Sequence, residues 1–168
     1  IIALNPSGYF SIFRNTSTPG NLSFENPVPV DLAGQHGLDA VFGDFDNDGD
    51  MDIVINNIDD EAFLYKNTLR SNGDTATHFL QIKCIGSKAN VDGMGVWIDI
   101  YYDGGKHQVY ENNPYRGYLS TYQNIAHFGL GKITLLDSVI IRWPGYKKQA
   151  LTKVQADQLL KVNITDAG

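Results

Sequence analysis

The chain has 168 residues, of which 42% are hydrophobic and 19% are charged, a composition typical of a globular protein with room for one or two small domains. Its formal charge is −6 and its densest basic cluster is the pair Lys147-Lys148, so the electrostatic footprint of a nucleic-acid-binding protein is missing. No apolar stretch approaches the ~20 residues of a membrane span.

Two segments near the start of the chain repeat each other at an offset of 52 residues. Residues 1–16 align without a gap with residues 53–68, and Arg14 falls opposite Lys66. Each copy reads as a short β-rich run, a polar turn and an aromatic-rich run, which is a hairpin signal. A period near 50 made of strands indicates propeller blades or a similar array. In the first copy, Asn21–Glu25 is predicted to be the next blade strand.

The position of the repeat suggests that the blades are incomplete. The second copy is preceded by an acidic loop that ends just before Ile53, whereas the first copy starts at Ile1. We therefore expect the chain to be a piece of a longer protein. Unpaired strand edges of incomplete blades need cover, and we expect it from the C-terminal domain, from missing propeller blades or from another chain.

The acidic loop is the strongest site signal in the sequence. It reads Asp-Phe-Asp-Asn-Asp-Gly-Asp-Met-Asp over residues 44–52, with a carboxylate at every second position and Gly49 where the chain must turn sharply. Calcium takes six to eight oxygen ligands at about 2.3–2.6 Å, whereas magnesium usually keeps more of its water. The predicted calcium ligands are the side chains of Asp44, Asp46, Asp48 and Asp52 and the backbone carbonyl of Asp50.

Two other interpretations of this loop stay open from the residues alone. A solvated acidic turn would leave the mutual repulsion of five carboxylates unexplained. A hydrophobic strand followed by Asp-Phe-Asp resembles the nucleophile motif of haloacid-dehalogenase phosphatases, with Asp44 as nucleophile and Asp46 as acid/base. That chemistry needs a βαβ scaffold, and the sequence lacks the helical patterns to build one. The nearby acidic run 59–61 is predicted to be a solvated hairpin tip.

The second half of the chain is predicted to be a series of short strands separated by Gly, Asn and Asp turns. The predicted strands are Phe79–Ile85, Val96–Tyr102, His107–Glu111, Asp137–Trp143 and Gln158–Ile164. The only helix candidate, 155–162, reads equally well as a turn plus a strand. The prediction is therefore an all-β protein with partial β-propeller blades over residues 1–77 and a small β-sandwich or barrel over residues 78–168.

Single residues that could carry chemistry have structural interpretations. Cys84 lies within a predicted strand, where it is expected to have a structural role. His127 precedes Phe-Gly-Leu-Gly131, predicted to be turn-like, and no nucleophile pattern accompanies it. We therefore expect no enzymatic activity.

A tyrosine-rich segment is the candidate ligand surface. Tyrosine rings stack on sugars and anchor protein interfaces, although alternation in a strand turns half of them inward. Arg116 could bind a carboxylate or sugar, or pin its own loop by an internal hydrogen bond. The possible ligand-binding residues are Tyr115, Arg116, Tyr118 and Tyr122.

Taken together, these motifs resemble a known combination of domains. Residues 1–68 resemble the FG-GAP or VCBS repeats of integrin-α-like propellers. That resemblance rests on residues 42–54 and 64–67. Residues 79–164 resemble the ASPIC/UnbV domain of cartilage acidic protein-like secreted proteins. That match rests on 90–93 with Gly95, 116–120, 127–131 and 139–144. Two positions depart from the pattern: Val96 replaces a usual Ala, and Tyr146 stands near a usual turn Gly.

The resemblance implies a propeller with calcium in its blade loops, joined to an all-β C-terminal domain without established catalytic residues. It implies a non-enzymatic, calcium-binding interaction module that is secreted or displayed on the cell surface, for example the bacterial outer surface, with a protein or glycan as partner. The alternative is a structural accessory domain of a larger secreted enzyme or outer-membrane uptake assembly.

Overall fold

A computed structural model describes residues 2–4, 10–18, 20–30, 37–57, 59–73, 75–113, 115, 121 and 123–168. Within these ranges the chain is all-β, with thirteen strands, a single 3₁₀ turn at Ile164–Asp166 and no α-helix. None of the described segments is a helix long and apolar enough to cross a membrane. The chain divides into two compact units, the N-terminal unit Ile1–Thr68 and the C-terminal unit Leu69–Gly168.

The N-terminal unit contains two three-stranded antiparallel sheets among its described residues, in the orders β1-β2-β3 and β4-β5-β6. Their strands are β1 (Ile2–Leu4), β2 (Phe10–Ile12), β3 (Val28–Val30), β4 (Gly37–Gly43), β5 (Asp52–Asn57) and β6 (Phe63–Tyr65). Ile2 lies opposite Ile12 in the first hairpin, and Val54 lies opposite Leu64 in the second. These pairs differ by the repeat offset read from the sequence, so the two copies share one strand register.

One predicted strand of this unit is wrong. Residues 21–25 form isolated bridges, Asn15 with Phe24 and Thr18 with Asn21, rather than a continuous strand. The Ser17 hydroxyl accepts from the Ser23 amide and donates to the Ser23 carbonyl. Such side-chain bonds compete with a regular ladder. The third strand of this sheet is β3, which pairs with β2.

The C-terminal unit contains two sheets, in the orders β10-β7-β13 and β12-β11-β8-β9. The first contains β7 (His78–Ile85), β10 (Ala126–Gly131) and β13 (Gln158–Asn163). The second contains β8 (Trp97–Tyr102), β9 (Lys106–Glu111), β11 (Leu135–Arg142) and β12 (Lys148–Gln155). Strand β13 runs parallel to β7, and all other neighbours in these sheets are antiparallel.

The two sheets of the C-terminal unit share one hydrophobic core. Alternate residues of each strand point inward, as period-two patterning requires. The three-stranded sheet contributes Leu80 and Phe128, and the four-stranded sheet contributes Ile98 and Ile141, all at most 2% exposed. Neither sheet is closed, so of the two predicted alternatives the unit is sandwich-like rather than a barrel.

The five predicted strands of the C-terminal unit are present, and two further strands were not predicted. Residues 127–131 were expected to be turn-like, but they belong to β10, where alternation buries Phe128 and Leu130. The glycines of this segment hid the pattern. Strand β12 was missed because it is an edge strand with few buried residues. The ambiguous segment 155–162 is a turn followed by β13, not a helix.

The compact units divide after Thr68, whereas the domain boundary predicted from turn-rich composition lies after residue 77. That domain boundary stays a prediction.

A tight loop between β7 and β8 contains the sequence motif formed by residues 90–93 and Gly95. The Asn90 side chain accepts from the Met94 amide at 2.8 Å and donates to the Met94 carbonyl at 2.9 Å. The Asn112 amide group donates to the carbonyls of Asp92 and Gly93 at 2.7 and 2.9 Å. The Gly86 amide donates to the Val91 carbonyl at 2.8 Å. These bonds bring the backbone so close that a Cβ at Gly86 would lie 1.9 Å from the Asn90 carbonyl oxygen.

We predict that Gly86→Ala destabilises the C-terminal unit by at least about 1–3 kcal/mol, the usual cost of overpacking. The matched control is Gly129→Ala, because a Cβ there meets nothing within 4 Å and the backbone is not left-handed. Urea unfolding of both variants measures the difference. Equal midpoints for Gly86→Ala and the wild type would contradict the packing of this loop.

Candidate functional site

The acidic loop connects two paired strands of the N-terminal unit. Strand β4 ends at Gly43, β5 begins at Asp52, and these two residues lie opposite each other in the ladder. Two residues of the loop are left-handed, Asn47 with φ 61° and Gly49 with φ 94°. Asn and Gly are the residue types that adopt this conformation at least cost. The sequence therefore folds the loop tightly enough for alternate side chains to meet.

Hydrogen bonds from backbone amides to carboxylate oxygens hold the loop in its conformation. Asp46 Oδ1 accepts from the Asp48 amide at 3.2 Å, and Asp48 Oδ1 accepts from the Asp50 amide at 2.9 Å. Asp44 Oδ2 accepts from the Gly49 amide at 3.1 Å. Each bond fixes the rotation of one carboxylate, so the side chains are held in place by the backbone.

Three of the five predicted ligands converge. Asp44, Asp46 and Asp48 each offer a carboxylate oxygen, and these atoms all lie within 4.8 Å of one another. Two ligands on opposite sides of a calcium ion are separated by about 4.6–5.2 Å, twice the usual bond length. The donor set and its spacing therefore fit a hard divalent cation.

A lysine contacts the same carboxylates. Lys66 forms an ion pair with Asp46, and its Nζ lies 3.5 Å from Asp48 Oδ2. The hydrogen bond from Lys66 lowers the pKa of Asp46, and the same bond raises the pKa of Lys66. Lys66 was not predicted as a site residue. Its alignment with Arg14 in the repeat was the available signal.

The other two predicted ligands lie outside this group of three. Asp52 is 2% exposed, and its two carboxylate oxygens accept from the amides of Phe45 and Asn67 at 3.0 and 2.8 Å. Asp50 is also buried. Asp52 thus ties the loop to the chain just after β6, and the ligand roles of Asp50 and Asp52 stay predictions.

Of the predicted tyrosine-rich surface, the structure describes one member. Tyr115 is exposed, forms an isolated bridge with Thr121, and its amide donates to Asn113 Oδ1 at 3.1 Å. Arg116, Tyr118 and Tyr122 lie outside the described residues. The binding role of this surface stays a prediction.

Histidine residues of the C-terminal unit make structural contacts. The His127 ring stacks on Phe79 at a centroid distance of 5.8 Å, and its Nδ1 lies 3.4 Å from Gln81 Nε2. His107 Nε2 lies 2.9 Å from Oδ1 of the buried Asp99, and the His107 ring stacks on Tyr101. Both rings are therefore engaged in packing on their sheets.

The Cys84 thiol is buried in the sandwich core. Burial raises its pKa to about 12. The thiolate, which is the reactive form, is therefore scarce at neutral pH. This supports the structural role predicted for Cys84.

Comparison with protein families finds a match in each of two parts of the chain. The FG-GAP-like repeat family matches residues 1–55, and the ASPIC and UnbV family matches residues 86–168. The chain is an FG-GAP-like repeat region followed by an ASPIC and UnbV domain. Among curated individual proteins, none matches. This combination is typical of extracellular-type interaction modules, and FG-GAP repeats often bind calcium.

The two matched ranges contain several of the features described above. The acidic loop lies within the FG-GAP-like match. The Asn90 loop, strand β10 and the end of β11 lie within the ASPIC and UnbV match. In that domain, Asn90 closes a loop, and five described motif residues fill the core: Phe128, Leu130, Val139, Ile141 and Trp143.

An ion-pair cluster joins the start of β7 to the turn before β13 in the C-terminal unit. Asp157 Oδ1 lies 2.5 Å from Arg70 Nη2, and Asp157 Oδ2 lies 2.6 Å from His78 Nδ1. Burial alone would raise the pKa of Asp157, but the hydrogen bonds from His78 and Arg70 outweigh it and lower the pKa below the ordinary value of 3.8.

A carboxylate with a lowered pKa in the folded state stabilises the protein above its unfolded pKa and loses that contribution as the pH falls. We predict that Asp157→Asn lowers the melting temperature at pH 7 and flattens its dependence on pH below about 4. The matched control is Asp137→Asn, an exposed carboxylate of β11. Thermal melts from pH 2 to 7 measure both, and parallel curves for Asp157→Asn and wild type would refute the role of this cluster.

Proposed function

We propose that this protein is a non-enzymatic, calcium-binding interaction module of extracellular or cell-surface location, with a protein or a glycan as its partner. The observation that carries the proposal is the convergence of three carboxylates in a loop held between paired strands. The FG-GAP-like match adds independent support, since such repeats typically occur in extracellular or surface proteins.

The residues Asp44, Asp46 and Asp48 would hold the ion, which would supply the positive charge that the crowded loop lacks. Their backbone bonds already fix one oxygen of each carboxylate, so little reorganisation is needed on binding. Lys66 partly compensates the same charge, and it would be displaced from Asp46 and Asp48 by a divalent cation. We infer that the ion rigidifies the connection between β4 and β5.

A non-enzymatic role is supported by how the ionisable side chains are used. Asp157 is tied to Arg70 and His78, Asp99 lies within hydrogen-bonding distance of His107, and the Cys84 thiol is buried. Each of these groups stabilises a strand or the core. None of these arrangements places a nucleophile beside a base in an accessible cleft.

Further propeller blades or another chain are proposed as partners of the N-terminal unit. Each of its sheets has three described strands, whereas propeller blades have four. Open strand edges invite pairing with another segment. We propose that such pairing completes the blades in the full assembly.

Calcium removal tests the proposal directly. Binding to the folded state stabilises by about 2.7 kcal/mol at a ligand concentration 100-fold above Kd. A domain of 60–100 residues shifts its melting temperature by about 4–8 °C per kcal/mol. We therefore expect calcium at that concentration to raise the melting transition of the N-terminal unit by roughly 11–22 °C relative to a chelator, measured by differential scanning calorimetry.

The variant Asp46→Asn with Asp48→Asn should abolish this shift. Asparagine keeps the oxygen that accepts each backbone amide, so the loop fold is retained while the charge is lost. The matched control is Asp59→Asn with Asp60→Asn, because these carboxylates are exposed in the turn that precedes β6. A wild-type melting temperature that is the same in calcium and in chelator would refute calcium binding.

A further inference from the structure

The C-terminal unit has an open groove on the outer side of its four-stranded sheet, with a volume of about 630 Å³. Its lining includes Gly95, Trp97, Arg142, Trp143, Tyr146 and Lys148. Ile98 and Ile100 point into the core, so alternation turns Trp97 to the opposite face, where it is 43% exposed. The groove is distinct from the acidic loop, which belongs to the N-terminal unit.

Two cations and an indole form one row across this sheet. Arg142 lies directly opposite Lys148 on one side and Trp97 on the other. Side chains in directly opposed positions share a face and lie about 4.5–5.5 Å apart at Cβ. Glu111 follows beyond Trp97 in the same row but does not line the groove. The groove is therefore cationic, although the chain as a whole carries a charge of −6.

The guanidinium of Arg142 is anchored. Its Nη2 lies 2.7 Å from Oδ2 of Asp99, which is 3% exposed and also lies 2.9 Å from His107 Nε2. Half of the Arg142 side chain is nevertheless exposed. A guanidinium carries five N–H donors in a rigid fork, so an anchored arginine can present further donors to a carboxylate.

Tyr146 lies in the turn between β11 and β12, lines the groove and is fully exposed. Its φ is +71°, in the left-handed region that is unfavourable for a bulky residue. Neither packing nor backbone geometry therefore accounts for an aromatic ring at this position. An aromatic contact to a ligand does account for it, because strained residues cluster at ligand-binding sites.

We propose that this groove binds an acidic oligosaccharide. The rings of Trp97 and Tyr146 contact pyranose faces, and the cations Arg142 and Lys148 bind uronate carboxylates. An acidic peptide is a weaker fit, because extended peptides bind by main-chain bonds along a strand edge, whereas this groove presents side chains of a sheet face. The inference rests on the proposed function as an interaction module and names its surface and ligand class.

Intrinsic fluorescence provides the assay. The chain has two tryptophans, and both line the groove, so a ligand bound there changes their fluorescence, chiefly that of the more exposed Trp97. The 168-residue chain in calcium is titrated with glucuronate, galacturonate and mannuronate oligosaccharides, with neutral maltooligosaccharide and a polyglutamate peptide for comparison. We expect saturable quenching by at least one uronate, at least tenfold weaker binding of the neutral sugar and the peptide, and weaker binding at higher salt.

The decisive variant is Tyr146→Gly. It removes the ring and relieves the left-handed strain, so the melting temperature should stay equal or rise while uronate binding falls at least tenfold. Lys148→Gln should weaken binding several-fold, and Lys132→Gln, an exposed lysine outside the groove, should not. The proposal is overturned by unchanged binding in Tyr146→Gly, by no response to any uronate at millimolar concentration, or by equal binding of polyglutamate.

Two further variants separate this proposal from the others. Tyr115→Ala should leave uronate binding unchanged, and a loss would assign the site to the tyrosine-rich surface instead. Asp46→Asn with Asp48→Asn should also leave it unchanged, because those residues belong to the other unit. Failure of the groove and failure of the calcium site therefore give different results: the first removes the fluorescence response alone, and the second removes the calcium-dependent melting shift alone.

Discussion

The mutual repulsion of five carboxylates within nine residues is the constraint that shapes the N-terminal unit. Three of them, Asp44, Asp50 and Asp52, are buried, where charge is costly without compensation. The loop meets part of this cost with backbone amides and with Lys66. Asp52 also accepts from the amide of Asn67, which lies two residues after the end of β6. The loop is therefore connected to β4, to β5 and to the segment that follows β6. A cation in the loop would therefore stabilise the whole sheet.

The C-terminal unit depends on a different interaction, the burial of apolar side chains between two sheets. Its core residues, such as Leu80, Ile98 and Val139, come from both sheets, and no acidic loop is involved. Arg142 and Trp97 lie opposite each other in the four-stranded sheet and are not part of this core. A surface supported by a packed sandwich is well suited to hold aromatic and cationic side chains in fixed positions.

The features that could be predicted from the sequence are those whose pattern lies within a short stretch of residues. The paired register of the two hairpins was predictable, because an ungapped repeat must place Ile2 and Val54 in equivalent positions. The convergence of Asp44, Asp46 and Asp48 was predictable from alternate spacing around a glycine. Strand β10 was not, because Gly129 and Gly131 resemble turn residues although a strand tolerates them.

Other features required the tertiary structure. Lys66 and Asp46 are twenty positions apart in the sequence, and the pairing of β5 with β6 brings their side chains into contact. The row of Lys148, Arg142 and Trp97 depends on the pairing of three strands, one of which the sequence pattern did not reveal. Tyr146 was noted as a departure from the family pattern, but its exposure and left-handed backbone gave that departure a meaning.

The central claim is that the acidic loop is a calcium site, and its most direct test is a crystal structure of this chain grown with calcium, with anomalous data collected at long wavelength. The account predicts an anomalous peak about 2.3–2.6 Å from oxygens of Asp44, Asp46 and Asp48, with the Lys66 ammonium moved away from Asp46. An ordered loop without an anomalous peak, with Lys66 still paired to Asp46, would contradict it.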